Sequence, residues 1–319
     1  MATVAQSEYG NALRGRWRPR SRIMHRSRLR WYRWYHPWLF LSLALVGLVV
    51  FRLYPILAAF RLSFTSWDIM NEPVWLGLQN YRAIFTDGRY LQILSNTLLF
   101  SGTYTIGVMV LGLALAMLLN ARIRGIATFR ALTYAPVVTS AVAVGIVWSW
   151  MLSGRYGILN YALGLVGIDG PNWLGDPSFA LPAVASVHVW KMAAYYMTIF
   201  LAGLQEIPRS LYETADIDGA TGPQKFRYVT LPMLAPFTFF VLIIAAVDSF
   251  NNFEIIYSMT RGGPRQATTT MVYSVFVNGF VFYRVGFATA VAFLLMVIVG
   301  IFTAVNFRLR KRWASPVEQ

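Results

Sequence analysis

Seven charged side chains, Glu206, Arg209, Glu213, Asp216, Asp218, Lys225 and Arg227, crowd into residues 206–232, with Gly219, Gly222 and Pro223 among them and a long apolar run on either side. Charges of both signs around a glycine-rich bend suit docking against another protein. The stretch GATGPQK hints at a phosphate cradle, but a Gly-Lys pair followed by Ser or Thr is missing, so the chain does not read as its own ATPase.

A second set of reactive side chains lies inside the apolar runs themselves: Arg52, Lys191, Asp248 and Glu254. Ionisable groups in hydrocarbon cost a few kcal/mol, so they face a partner or a cavity. Arg52 sits near the end of the first run and can snorkel outward. Lys191 falls at about half depth, roughly 15 Å into its helix by rise, and needs an anion there. Asp248 is the natural candidate and Glu254 the second. Asp248, Ser249 and Asn252 share one helical face, and Tyr195 shares the face of Lys191. A cavity lined by these groups would suit a sugar, whose hydroxyls need fixed donors and acceptors. The same Lys191 and Asp248 could instead form a buried ion pair locking two helices, or, in an ion-coupled secondary transporter, a relay.

Other chemistry finds little support. His25, His36 and His188 make no metal-ligand spacing, and His188 reads as a packed or pore-facing residue. No Ser/His/Asp set or carboxylate pair sits in a credible pocket, and the absence of cysteine removes disulfides and thiolate metal sites. An enzyme is not expected, and no cofactor is expected on this chain.

The elements that must position these residues are membrane helices. The chain has 319 residues, 57% of them hydrophobic and only 13% charged, too apolar for a single water-soluble core. Runs of about 18 or more apolar residues can cross a hydrocarbon layer roughly 30 Å thick, and helices satisfy their own backbone there. Six such runs are predicted, at Trp38–Ala58, Leu91–Leu119, Ala131–Leu152, Ala180–Gln205, Met233–Tyr257 and Gly286–Phe307. The expected fold is an all-α membrane protein.

The formal net charge of +15 follows this topology rather than a nucleic-acid surface. Nine arginines lie between Arg14 and Arg33, and further basic groups at Arg122, Arg124, Arg130, in the charged loop and at Arg308–Arg312 fall on the same side if six helices alternate. The positive-inside rule puts both termini and the loop in the cytoplasm, with the leader against anionic headgroups and no nucleic-acid partner. The first run reads as an anchor rather than a cleaved signal. Residues 1–36 form a basic amino-terminal segment, 37–312 the spanning domain and 313–319 a tail. Met271–Tyr283 is too short to cross and is expected as an interfacial or partly buried external helix, with Thr268–Thr270 near its start.

Within the charged loop, two short helices are predicted at about Pro208–Asp218 and Pro223–Val229, bent at Gly219–Gly222. This elbow resembles the loop of membrane subunits of ATP-binding-cassette importers, which runs Glu-Ala-Ala, three residues, Gly, nine residues, Ile, one residue, Leu-Pro. Here Glu213-Thr214-Ala215, Gly219, Val229 and Leu231-Pro232 stand at that spacing, with two mild substitutions, Thr214 and Val229. Flanking words agree: Gly77-Leu78-Gln79-Asn80-Tyr81, Leu204-Gln205-Glu206-Ile207-Pro208, Asn251-Asn252-Phe253, and Gly262-Gly263-Pro264 followed by three threonines. The chain is therefore similar to the maltose and glycerol-3-phosphate type of permease nearly throughout; its long Arg-rich leader is the departure.

The resemblance implies a type I ABC importer permease fold in the inner membrane of a prokaryote, and uptake of a carbohydrate by alternating access. Glycerol-3-phosphate or a glycerophosphodiester is the alternative solute. It implies four kinds of partner: a second homologous permease, two ATPase subunits that bind the ATP and magnesium, an extracytoplasmic solute-binding protein, and lipid. It makes the elbow a coupling helix, with Glu213, Ala215, Asp218, Gly219, Leu231 and Pro232 carrying contact and shape. It also places substrate contacts at Lys191 and Tyr195, just after Val189-Trp190, and at Ser249 and Asn252.

Overall fold

The computed structural model describes residues 36–121 and 124–313, with side chains from 38 to 308. Residues 1–35 of the basic leader, Arg122 and the tail from Ala314 lie outside the described residues.

The chain divides into two units, Met1–Pro55 and Ile56–Gln319. The first holds α1 (His36–Leu48) and a π-helical stretch, Val49–Leu53. Its apolar side chains are outward: Phe40 is 83% and Phe51 80% exposed. Such a surface is tolerable against hydrocarbon and not against water.

The boundary falls within α2 (Tyr54–Leu62), and the second unit continues with a two-stranded antiparallel ribbon, β1 (Thr65–Ser66) and β2 (Val74–Trp75), and then α3 (Gln79–Thr86). Next come α4 (Gly88–Leu119), α5 (Ile126–Val138), α6 (Ala141–Met151), α7 (Ile158–Leu165) and α8 (Pro177–Glu206). Asp87 caps α4 by accepting from the Arg89 amide at 3.0 Å, and Asp176 caps α8 by accepting from Ser178 at 2.8 Å, with Pro177 in the first turn. The chain continues through α9 (Arg209–Ile217), α10 (Gly222–Lys225), a π-helical stretch at Phe226–Thr230, α11 (Leu231–Met233), α12 (Ala235–Phe250) and α13 (Glu254–Met259). It closes with α14 (Met271–Phe276), a π-helical stretch at Val277–Val281, and α15 (Val285–Trp313).

The six predicted spans are not alike. Trp38–Leu62, Gly88–Leu119 and Val285–Arg308 are long and apolar enough to cross a membrane as single helices. The third span, predicted unbroken over Ala131–Leu152, turns by 94° between α5 and α6. Thr139 is extended there, and Pro136 in the preceding turn weakens the helix. The fifth, predicted to Tyr257, stops at Phe250, and the residues Asn251–Phe253 separate it from α13; at its other end the path from Gly222–Met233 into Ala235–Phe250 bends by 68°. The fourth is one 30-residue helix, α8, about 45 Å long by rise. It is lined with buried residues along its length, so protein surrounds much of it, which is how it carries His188 and Lys191.

The main core lies between α4 and α8. Tyr104, Val108 and Ala116 of α4 and Val184, Tyr196 and Phe200 of α8 are almost fully buried. Gly112 permits the approach: a Cβ there would stand 3.2 Å from the Met197 backbone nitrogen. A second cluster, around Ile84, Ile93, Phe250, Met271, Phe287 and Val291, joins α3, α14 and α15. The segment from Met271 is a partly buried helix as predicted, and Thr270 caps it.

Candidate functional site

The charged loop folds as two short helices joined at a sharp bend. Its first helix, α9, ends in a Schellman arrangement: the Ala220 amide donates to the Ala215 carbonyl at 2.9 Å and the Gly219 amide to Asp216 at 3.1 Å. That geometry needs a left-handed residue, and Gly219 supplies it at φ +72°. Three contacts then hold the elbow. Lys225 pairs with Asp216 across the bend. Tyr212 and Thr230 join their hydroxyls at 2.9 Å. Gln224 Oε1 accepts from the Thr221 amide at 2.7 Å.

The predicted loop residues fall into two groups. Glu213, Asp218 and Gly219 are exposed, as is Leu231, so they stand free for contact; Ala215 and Pro232 are half-buried and shape the turn. Ile217, flanked by two aspartates, is 87% exposed and Tyr228 71%. Sequence reading passed over both. Their signal was present, since an apolar side chain among charges on a surface helix is there for a partner or for nothing.

Inside the helices, the predicted pairing of Lys191 with Asp248 does not occur. Lys191, buried, donates from Nζ to the backbone carbonyl of Val137 at 3.1 Å. Val137 lies in the last turn of α5, where the break at Thr139 leaves carbonyls without amide donors, and a cation is favoured at such a helix end. Glu254 does not take the role either; it is exposed at the first turn of α13.

Asp248 has other partners. Its Oδ2 accepts from the Tyr104 hydroxyl at 2.5 Å and from Tyr196 at 3.4 Å, while His188 Nε2 stands 3.9 Å away. Asn252 reaches His188 from the far side, its amide nitrogen 2.7 Å from Nδ1, while Nε2 faces the carboxylate. Nε2 itself makes no hydrogen bond. Ser249 bonds Ser101 at 2.6 Å. The Asp248 side chain remains 39% exposed, so the carboxylate is held from one side and open on the other.

Asp248 and Asn252 thus meet at His188, Ser249 bonds Ser101, and Lys191 stands apart; Tyr104, Tyr196 and Ser101 were missed, while His188, expected as packed or pore-facing, is buried. Tyr195 is half-buried and packs edge-on against Tyr196, centroids 5.1 Å apart, next to the cluster rather than in it. The missed residues come from α4 and α8, and only the crossing of those helices with α12 brings them to Asp248. Among the described residues, no group of three or more His, Cys, Asp or Glu side chains could hold a metal ion.

Comparison with known proteins places this geometry in a family. Residues 108–315 match the model of the binding-protein-dependent transport system inner membrane component. The chain is 36% identical over 274 residues to the sn-glycerol-3-phosphate transport system permease protein UgpA of Agrobacterium fabrum, covering 85% of this chain and 93% of that one. It is 32% identical over 280 residues to the multiple sugar-binding transport system permease protein MsmF of Streptococcus mutans, covering 88% and 96%. In fold it is similar to a chain of a bacterial ABC transporter involved in the import of the acidic polysaccharide alginate, with a TM-score of 0.75 over 87% of this chain and 96% of that one at 22% identity. With its broken helices, exposed elbow and apolar spans, the chain belongs to the inner-membrane permease components of binding-protein-dependent ABC importers.

Proposed function

We propose that this chain is a non-catalytic permease subunit that takes up a carbohydrate handed over by an extracytoplasmic solute-binding protein. A second homologous permease completes the pathway, and two ATPase subunits, which alone bind ATP and magnesium, dock at the elbow. Both termini and the elbow are cytoplasmic, 37–312 is the spanning domain, and 1–36 and 313–319 flank it. The observation that carries the reading is the elbow itself: a short helix fixed by the Gly219 turn and the Lys225–Asp216 pair, presenting Glu213, Asp218 and an 87% exposed Ile217 outward. A stiff lever with an unsatisfied apolar tip is what transmits force from a docked partner. Nucleotide-driven closure of the ATPases would move it and bias the helices between outward- and inward-open states.

Asp248, Ser249 and Asn252, with Tyr195 alongside, would meet the solute, the half-exposed carboxylate accepting from hydroxyls. Lys191 serves as a helix-end anchor in this reading, not as a solute contact. The 32% identity to a multiple sugar-binding permease motivates the solute class, and the 36% identity to a glycerol-3-phosphate permease keeps that solute as the second reading. An ion-coupled transporter is disfavoured because its relay pair, Lys191 and Asp248, is not formed.

The test is uptake into liposomes holding the full complex. Uptake that needs ATP and the binding protein, and that fails in Glu213→Ala while the permease pair stays assembled, supports the proposal. Uptake that continues without the ATPases sinks it.

A further inference from the structure

At the end of α4 remote from Asn120, a cavity of about 390 Å³ is ringed by three arginines, Arg89, Arg261 and Arg284, together with Tyr273, Gln266 and Asn278. No Asp or Glu side chain lines it. By topology all three arginines lie on the face opposite the elbow. They come from three separate places in the sequence, the start of α4, the loop after α13 and the turn before α15, so folding alone assembles them.

The Arg89 and Arg284 guanidiniums are held by side-chain contacts, and Arg261 is placed by its backbone. Arg89 leans on Asp87, Nη2 to Oδ2 at 2.8 Å. Arg284 stacks over the Phe287 ring, 4.9 Å from its centroid, and its amide donates to the Asn278 carbonyl at 2.7 Å. Arg261 holds a left-handed backbone at φ +50°, its amide bonded to the Ile256 carbonyl at 2.9 Å. Among the described residues, neither Arg261 nor Arg284 forms an ion pair. Three like charges around one hollow repel each other, and two of them lack a carboxylate. An arrangement of that kind is stabilised by an anion, and guanidinium forks match carboxylate and phosphate oxygens two at a time.

We propose that this cavity is an oxyanion site on the outer surface, taking the carboxylate or phosphate group of a ligand small enough for a hollow of about 390 Å³. Its floor includes Ile93 of the second core cluster, whereas the Asp248 partners Tyr104 and Tyr196 belong to the first, so it is separate from the buried polar cluster. The neutral donors complete it: the Tyr273 hydroxyl and the Gln266 amide can bond a sugar or glycerol backbone attached to the acid. The same oxyanion chemistry is offered by an acidic solute and by the phosphate of a lipid headgroup, and the two differ in whether binding needs a lipid.

The experiment is equilibrium binding to the full-length chain in lipid-free detergent, with sodium glucuronate, short-chain phosphatidylglycerol and glucose as probes. Glucuronate or phosphatidylglycerol should bind and glucose at least tenfold more weakly; binding of glucuronate alone assigns a solute acid, and of the lipid alone a headgroup. The double variant Arg261→Gln/Arg284→Gln should lose tenfold or more. Gln266→Glu keeps every arginine, changes one exposed side chain, and should cause a similar loss by placing a carboxylate in the ring. The site is overturned if neither anion binds, if glucose binds as well as glucuronate, or if Gln266→Glu binds anions as the parent does.

Discussion

Lys191 donates a hydrogen bond to the Val137 carbonyl at 3.1 Å, and Asp248 is engaged elsewhere, accepting from the Tyr104 hydroxyl at 2.5 Å. Two opposite charges in an apolar interior would be expected to seek each other, yet each has found a neutral partner. The break after α5 supplies the reason for Lys191, since carbonyls exposed by a helix end carry negative partial charge without the cost of desolvating a carboxylate. Tyr104 supplies it for Asp248. The two side chains therefore share no hydrogen-bond partner.

That separation predicts additivity. Lys191→Met removes a charged hydrogen bond, about 1.5–3 kcal/mol, and should lower the melting temperature in detergent. Combined with Asp248→Asn, the losses should add to within about 0.5 kcal/mol, as for residues without shared partners. Tyr104→Phe with Asp248→Asn should instead show a coupling of roughly 0.5–3 kcal/mol. Strong coupling in the Lys191 cycle would restore the ion pair and refute the assignment.

The elbow was legible from the sequence because its determinants are local: the glycine, the prolines and the charge spacing all act within a few residues of the bend. The polar cluster was only half legible. Asp248, Ser249 and Asn252 lie on one helix, where periodicity speaks directly, but Tyr104 and His188 sit 144 and 60 positions away in sequence and reach Asp248 only through helix crossing. Lys191 misled for a different cause. Apolar periodicity carries no trace of the break at Thr139, and without the break there are no free carbonyls to attract a lysine. The fifth span was overextended because it included the polar residues Asn251, Asn252 and Glu254, which mark where its helix stops.

Gly219 tests the elbow by backbone alone. A Cβ there meets nothing within 4 Å, so the only penalty is the left-handed φ of +72°, about 1–2 kcal/mol for an ordinary residue. Gly219→Asn, which tolerates that region, should retain most ATP-driven uptake, and Gly219→Val should lose most of it while the chain stays folded by melting temperature. Equal uptake in the two would mean the bend is dispensable.

Ile217 tests the same surface by contact. At 87% exposed it contributes little to the fold, so Ile217→Glu should leave the melting temperature unchanged. If the residue packs into a partner pocket, burying a charge there should weaken ATPase association at least tenfold, since isolated charges are poorly tolerated in an interface core. Unchanged association, measured by co-purification of the ATPase with the membrane subunit, would remove Ile217 from the docking face.

The approach of α4 to α8 can be tested within one helix, because α4 holds glycines of two kinds. A Cβ at Gly112 would stand 3.2 Å from the Met197 nitrogen, 3.2 Å from Tyr196 Cβ and 3.3 Å from the Ala193 carbonyl oxygen, two of the three being backbone atoms that cannot rotate away. A Cβ at Gly102 would meet nothing within 4 Å. Gly112→Leu must therefore push α8 aside and strain the core that carries Tyr196 and, through it, Asp248; overpacking of this kind costs about 1–3 kcal/mol or more. Gly102→Leu adds a better helix former on an exposed face and should be neutral or slightly stabilising. Melting temperatures in the same detergent should differ by several degrees, since about 1 kcal/mol shifts a chain of this size by roughly 2–4 °C. Two equally stable variants would show that the helices are not held at glycine-to-backbone distance, and the placement of Tyr104 and Tyr196 around Asp248 would fall with that contact.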